Sequence, residues 1–230
     1  MKKVFIFCVS IVISFQGLYG QDRVRITSAE AGVSFRPEYN RSFQFCWDLQ
    51  TYGRLTINDT VLLRGGVSLG QSDVFNANTF LHTGVHFPLK IALSAHFLYM
   101  YNTWPDYKTS IHSFLPFFLI QGKWIGGVLG FNTRKVLYEK ELLQTESILL
   151  YGIYGFFYPS DSIKLILSIA NFNDFLSGNI GSYTLGLICT ARVSPLLSII
   201  GQAEVFQTGS FGLASNFYGT AFKGGVIFHF

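Results

Sequence analysis

The feature that most constrains this sequence is a two-residue hydrophobic period that recurs along the chain and runs to its last residue. In the terminal segment, Phe230, Phe228, Val226, Gly224, Phe222, Thr220 and Tyr218 share one parity. His229, Ile227, Gly225, Lys223, Ala221 and Gly219 share the other. Alternation of this kind is the signal of a β-strand with unlike faces. One face here is aromatic and apolar; the other holds small and basic residues.

Eleven earlier segments repeat the pattern. Between Thr27 and Arg36, Ala29, Ala31, Val33 and Phe35 oppose Glu30, Gly32, Ser34 and Arg36. Between Ser42 and Tyr52, Phe43, Phe45, Trp47 and Leu49 oppose Gln44, Cys46, Asp48 and Gln50. From Val61 to Gly70 the polar parity carries Arg64, Gly66 and Ser68. From Thr79 to Phe87 it carries His82, Gly84 and His86, and from Ile91 to Tyr101 it carries Ser94 and His96. The middle segments, Thr109 to Ile120, Lys123 to Phe131 and Glu146 to Tyr158, are more uniformly apolar, and Pro116 interrupts the first. Alternation returns with Lys164, Ile166 and Ser168 opposing Ile163, Leu165, Leu167 and Ile169. Thr184, Gly186, Thr190 and Arg192 then share a polar parity, as do Ser198, Gln202 and Glu204.

The joins provide a second pattern. Those near Pro88, Gln121 to Lys123, Pro159 to Asp161 and Ser194-Pro195 are very short, and Arg54 to Thr60 is somewhat longer. Polar connections fall between them: Pro37 to Arg41, Gln71 to Asn78, Asn102 to Lys108, Asn132 to Thr145, Phe172 to Ile180 and Thr208 to Asn216. The longest, Asn132 to Thr145, reads as a solvated hairpin tip.

Export is written at the N-terminus. Met1-Lys2-Lys3 is followed by an apolar run from Val4 to Phe15, and charge begins at Asp22. This predicts a signal peptide over residues 1–20. The run is short for the roughly 20 residues of a spanning helix. Cys8 lies inside it, which argues against lipidation. The remainder, 21–230, reads as a single domain with no apolar stretch long enough for a membrane helix. Yet only 13% of the chain is charged and 17% is aromatic, against roughly 25% charged in soluble domains. An exported chain this apolar, without membrane helices, is expected to close into a barrel, because only closure satisfies every backbone group in lipid. A soluble β-sandwich is the rival fold. Without Lys2 and Lys3, fifteen basic residues face thirteen acidic ones. No basic cluster points to nucleic acid. Cys46 and Cys189 fall on opposite parities and are expected to remain two isolated thiols.

A strand that keeps its pattern up to a terminal phenylalanine resembles the last strand of bacterial outer-membrane β-barrel proteins of the small porin-like class. The resemblance implies that Phe222, Phe228 and Phe230 form the C-terminal signal read by the barrel-assembly machinery. It implies an outer-membrane location with lipid as a partner. The expected fold is all-β: a closed antiparallel up-and-down transmembrane barrel of about twelve strands, within a range of eight to fourteen. With short joins on the periplasmic side, as in bacterial barrels, both termini are periplasmic.

A lipid-facing Arg or Lys at mid-membrane costs about 2–4 kcal/mol. Glu30, Asp48, Arg64, His82, His86, His96, Lys164, Arg192, Glu204 and Lys223 are therefore expected to line the lumen, with opposed charges setting a transverse field. That lumen could pass small polar solutes through a narrow, weakly selective channel. The rival is a non-conducting structural or surface-interaction barrel filled by its own ion pairs. A lipid-modifying enzyme is a distant third: His112 and Ser113 point to opposite faces, and no nucleophile stands out beside His82 and His86. No catalytic residue, metal site or cofactor is expected, and a monomer is. The aromatics Tyr99, Tyr101, Trp104, Trp124, Phe157, Tyr158, Phe217, Tyr218, Phe228 and Phe230 read as interfacial girdles.

Overall fold

A computed structural model describes residues 25–40, 45–71, 74–87, 92–171, 183–208 and 216–230. The predicted signal peptide, Cys8, the Pro88 join, the whole Phe172 to Ile180 connection and residues 209–215 of the Thr208 to Asn216 connection lie outside them. Twelve strands are present among the described residues: β1 (Ile26–Asn40), β2 (Phe45–Ile57), β3 (Val61–Gln71), β4 (Phe75–Phe87), β5 (Ala92–Trp104), β6 (Thr109–Gln121), β7 (Ile125–Tyr138), β8 (Glu141–Ser160), β9 (Ile163–Ala170), β10 (Tyr183–Ser194), β11 (Leu197–Thr208) and β12 (Asn216–His229). Each pairs antiparallel with its sequence neighbours, and β12 returns to pair with β1, closing the barrel. In that closing ladder Glu30 faces His229 and Val33 faces Val226, and the register continues to Asn40 opposite Gly219. No sheet edge is left, so the ladder satisfies the backbone groups that lipid cannot. The fold is the all-β, twelve-stranded antiparallel barrel expected from the alternation.

The two parities separate as inside and outside. Along β1, Gly32, Ser34 and Arg36 are buried while Val33 and Phe35 are exposed. Leu49, Phe118, Leu129, Ile153, Leu187 and Phe222 are all exposed on the outer surface. In water such a surface would aggregate; in hydrocarbon it is the required one. Trp124, Tyr158 and Phe230 are exposed near the end that carries the termini, and Tyr39, Phe45 and Tyr138 near the other. Tyr99 Oη is 2.8 Å from Nδ1 of His112, which places His112 on the outer surface rather than in the lumen. Cys46 and Cys189 are not disulfide-bonded.

Strands at the end opposite the termini run further than the alternation suggested. β7 extends to Tyr138 and β8 begins at Glu141. The expected long connection from Asn132 to Thr145 is therefore a two-residue turn on a protruding hairpin. Its turn residues, Glu139 and Lys140, have φ of 48° and 72°, and positive φ at both positions is what a type I′ hairpin demands. The tip is held from the side: Lys108 Nζ lies 2.6 Å from a Glu139 carboxylate oxygen, and the Glu139 N–H donates to the Lys108 carbonyl. Polar side chains make the strand ends beside this hairpin tip read as connection, but beyond the membrane a strand can be polar on both faces.

Pro116 does not break β6. It pairs in register with Phe97 of β5, and the ladder to β7 resumes from Phe114↔Thr133 to Phe117↔Gly130. The missing donor falls in that gap on the β7 side. There the strands approach closely: a Cβ on Gly130 would collide with the Pro116 carbonyl oxygen and with Phe117 Cβ. A Cβ on outward-facing Gly53 would meet nothing within 4 Å. Gly130→Val is expected to destabilise the barrel by about 1–3 kcal/mol through overpacking, whereas Gly53→Val is neutral or better. Urea unfolding of protein refolded into detergent, followed by loss of the compact gel band, measures the difference.

Candidate functional site: the barrel lumen

The inward parity builds two unlike walls. On β4 to β8 the inward residues Phe80, Leu98, Met100, Leu115, Phe117, Val128 and Leu150 pack into one apolar cluster, joined by Tyr52, Leu119 and Tyr154. The alternation suggests a polar inward face on β4 and β5 and leaves β6 to β8 apolar on both faces; the structure turns the apolar residues of all five into one packed wall. The finding follows from size: a twelve-stranded interior lies between small barrels filled by side chains and porins filled by water, and this one is filled along one side. Side chains packed at protein density gain dispersion and lose no hydrogen bonds to water.

The other wall, β11 to β3, is polar and follows the seam where the chain closes. Arg36 Nη2 on β1 reaches past β12 to Oε2 of Glu204 on β11, at 3.0 Å. Arg36 also lies 3.6 Å from Glu38. Lys223 Nζ on β12 reaches past β1 to donate to Gln50 Oε1 on β2, at 3.0 Å. Small residues beneath make these arches feasible: Ala221 sits opposite Glu204, and Ser34 opposite Gln50. Asp48 is hydrogen-bonded by the Ser68 side chain. Carboxylates and cations thus meet along one wall. The transverse field expected from charges facing each other across the lumen is replaced by local pairing, since neighbouring strands bring opposite charges far closer than the barrel diameter does.

Together the walls close the waist. Gln50, Ser68, Phe80, Leu98, Leu115, Asn132, Leu150, Ser168, Thr184, Phe206 and Lys223 come from eleven different strands, and none is more than 7% exposed. Ser34 of the remaining strand, β1, is 4% exposed.

Between the waist and the end that carries the termini lies a cavity of about 450 Å³. Glu30, Arg54, Arg64, His82, His86, His96, Lys164 and His229 line it, against a background of Phe117, Phe156 and several isoleucines. Arg54 Nη1 lies 3.5 Å from Glu30, whose other oxygen is 3.6 Å from His229 Nδ1. The Arg64 guanidinium stands over the ring of Tyr52 at 4.4 Å and that of Phe80 at 5.4 Å. The Lys164 ammonium stands 5.2 Å from the Phe156 ring. Such cation–ring contacts are attractive and strengthen as water is excluded.

The histidines form a chain. His82 Nε2 is 3.1 Å from His96 Nδ1, and His96 Nε2 is 2.7 Å from Ser94 Oγ. Ser94 Oγ in turn faces the Leu119 carbonyl at 3.5 Å. His96 stacks on Phe117, with ring centroids 4.9 Å apart, and meets His86 edge-on at 6.0 Å. Ser94 is the hydroxyl that no inspection of His82 and His86 alone could find; it lies two residues before His96 on the same face. It is 3% exposed and does not line the cavity, so the chain ties β4, β5 and β6 together. No group of three metal-ligating side chains converges among the described residues.

The ten residues expected in the lumen divide accordingly. Glu30, Arg64, His82, His86, His96 and Lys164 line the cavity. Asp48, Glu204 and Lys223 belong to the polar wall. Arg192 does neither: it is exposed at the end of β10 and donates to the Pro195 carbonyl at 3.1 Å. Its parity is inward, but its position at the last turn leaves it beyond the lumen. Sequence reasoning missed Arg36, Gln50, Arg54 and His229 as site residues. Arg36 precedes a proline, and Arg54 sits in a segment read as a join, although β1 and β2 continue past both. Phe222, Phe228 and Phe230 lie exposed on the outer surface of the closing strand region.

No protein-family model matches the chain, and its sequence matches no curated protein. Its fold is similar to that of solved outer-membrane barrels. The NanC porin aligns over 85% of this chain and 98% of its own, with a TM-score of 0.58 at 8% identity. An outer membrane channel from Pseudomonas putida F1 covers 92% of this chain and 98% of its own, with a TM-score of 0.58 at 9% identity. The KdgM porin, solved in complex with disordered oligogalacturonate, covers 86% of this chain and 99% of its own, with a TM-score of 0.54 at 7% identity. At these identities the likeness is one of architecture: the chain has the fold of a bacterial outer-membrane β-barrel.

Proposed function

We propose that this barrel is a narrow, weakly selective pathway for small polar solutes, closed at its waist in the conformation described. The observation that carries the reading is the charged, part-open cavity of about 450 Å³ inside the barrel. A barrel serving only as a surface scaffold has no use for an internal void lined by Arg54, Arg64 and Lys164, because gathering like charges around it costs free energy that apolar packing would avoid. The similar folds include proteins named as porins or channels, one of them solved with an oligosaccharide. In this reading the short joins and both termini face the periplasm, the chain works as a monomer in lipid, and the strand bearing Phe222, Phe228 and Phe230 engages the assembly machinery. The signal peptide ends near Gly20. No catalysis is assigned: folded protein is expected to release no fatty acid from phospholipid vesicles, and Ser94→Ala to change nothing in that assay.

A second reading, a non-conducting barrel that acts through its outer hairpins, is favoured by one observation, the completeness of the packing at the waist. The two diverge in planar bilayers. As a pathway, the folded protein gives small, infrequent openings, and trimming either wall with Leu115→Ala or Phe206→Ala raises conductance several-fold. Lys164→Ala then shifts ion preference away from anions. Silence from the wild type and both trimmed variants, each shown folded by its heat-modifiable gel mobility, would establish the second reading.

The polar wall has its own test. Removing one partner of a buried ion pair strands the other, at a cost of about 3–5 kcal/mol. Glu204→Ala leaves Arg36 with the more distant Glu38, at 3.6 Å, and is expected to lower stability by up to that amount; Glu204→Gln costs less, because the amide still accepts from Arg36. Denaturant midpoints in refolded protein compare them.

A further inference from the structure

The cavity's lining also specifies a class of ligand, and this inference rests on the pathway reading only in taking the cavity as a site. Among the described residues, Arg54, Arg64 and Lys164 line it against one carboxylate, Glu30, so with neutral histidines that part of the wall carries a net charge of +2. That carboxylate is already shared between Arg54 and His229. Arg54 also repels Lys164, a repulsion that an anion near both would relieve. The rest of the wall is apolar and aromatic, with Phe117, Ile188 and Ile200 among its residues.

This combination excludes several occupants. A small inorganic anion would give up hydration for hydrocarbon and gain too little. A neutral apolar molecule would bury the cations without compensation. A neutral sugar would leave most of its hydroxyls facing isoleucine and phenylalanine, unpaired. An organic anion with an apolar body satisfies both halves of the wall. The volume of about 450 Å³ lies within the roughly 300–1,000 Å³ of ligand pockets.

We propose that the cavity binds small amphipathic organic anions, aryl or short-alkyl carboxylates, with the carboxylate held by the Arg54, Arg64 and Lys164 side and the body against Phe117, Ile188 and Ile200. The probes are phenylacetate, its neutral counterpart phenylacetamide, and acetate, titrated calorimetrically into folded protein in phosphatidylcholine nanodiscs. Phenylacetate binds, and phenylacetamide and acetate bind about tenfold or more weakly, as expected when a charged hydrogen bond or the apolar body is removed. Lys164→Gln weakens phenylacetate by a similar factor and leaves phenylacetamide unchanged. Ile188→Trp, which fills the void and removes no cation, abolishes binding. Equal affinity for phenylacetate and phenylacetamide overturns the proposal, as does no heat from a folded sample, or binding that survives both substitutions. Phenylacetate binding by a barrel silent in bilayers leaves this inference standing and removes the pathway. Conductance without phenylacetate binding or block does the reverse.

Discussion

Everything in this molecule depends on the closure of β1 onto β12. A membrane interior offers no partner to an unpaired N–H or C=O, each of which would cost several kcal/mol. A twelve-stranded sheet with open edges would expose two full rows of them. The pairing that runs from Glu30↔His229 to Asn40↔Gly219 removes both rows at once. It joins the two ends of the described chain, so it is also the most non-local contact in the fold. Such contacts carry the largest loop-closure cost, and here the seam is reinforced by side chains: Arg36–Glu204 and Lys223–Gln50 each span the strand lying between their partners.

That reinforcement explains why charge gathers where it does. A buried ion pair by itself is weak evidence of stability, since desolvation offsets most of its attraction. Its value here is geometric. Arg36 and Glu204 satisfy one another only when β11, β12 and β1 are adjacent and in register, so a slipped or open barrel would leave buried charges unmatched. The opposite side of the barrel is built from consecutive strands and has no such need. It is filled by Leu98, Leu115, Leu150 and their neighbours. Near the termini the two materials meet around a void, and the side chains that specify the closed barrel give way to those that suit a ligand.

Much of the fold was legible in the residues because a strand in a barrel wall has a single period and two very different surroundings. Twelve segments, their order and their inward and outward faces follow from that. Boundaries were less legible. Outside the hydrocarbon band neither face need be apolar, so the strands on either side of the hairpin tip at Asn132 to Thr145 read shorter than they are, and β7 and β8 run to within two residues of each other. Arg36 has the inward parity, but beside Pro37 it reads as the end of a strand. Arg192 erred the other way, carrying inward parity past the point where the lumen ends. The interior shows the same limit: Leu98 shares the inward parity of Ser94 and His96, but Leu150, in a segment apolar on both faces, carries no mark in the sequence to say whether it faces lipid or fills a core.

The sequence by itself determined the architecture and its lipid-facing surface, because alternation, scarcity of charge and the lack of a long apolar run leave few other ways to satisfy a backbone in a bilayer. Only the tertiary structure decided what the inside is. Whether inward side chains face water, a void or one another depends on which strands are brought together across one to several neighbours, and parity carries no information about that distance. The pairing of Arg36 with Glu204, the packed waist and the cationic, apolar-walled cavity beside it all arise from curvature and closure, which place residues as far apart in the chain as Gln50 and Lys223 within a hydrogen bond of each other.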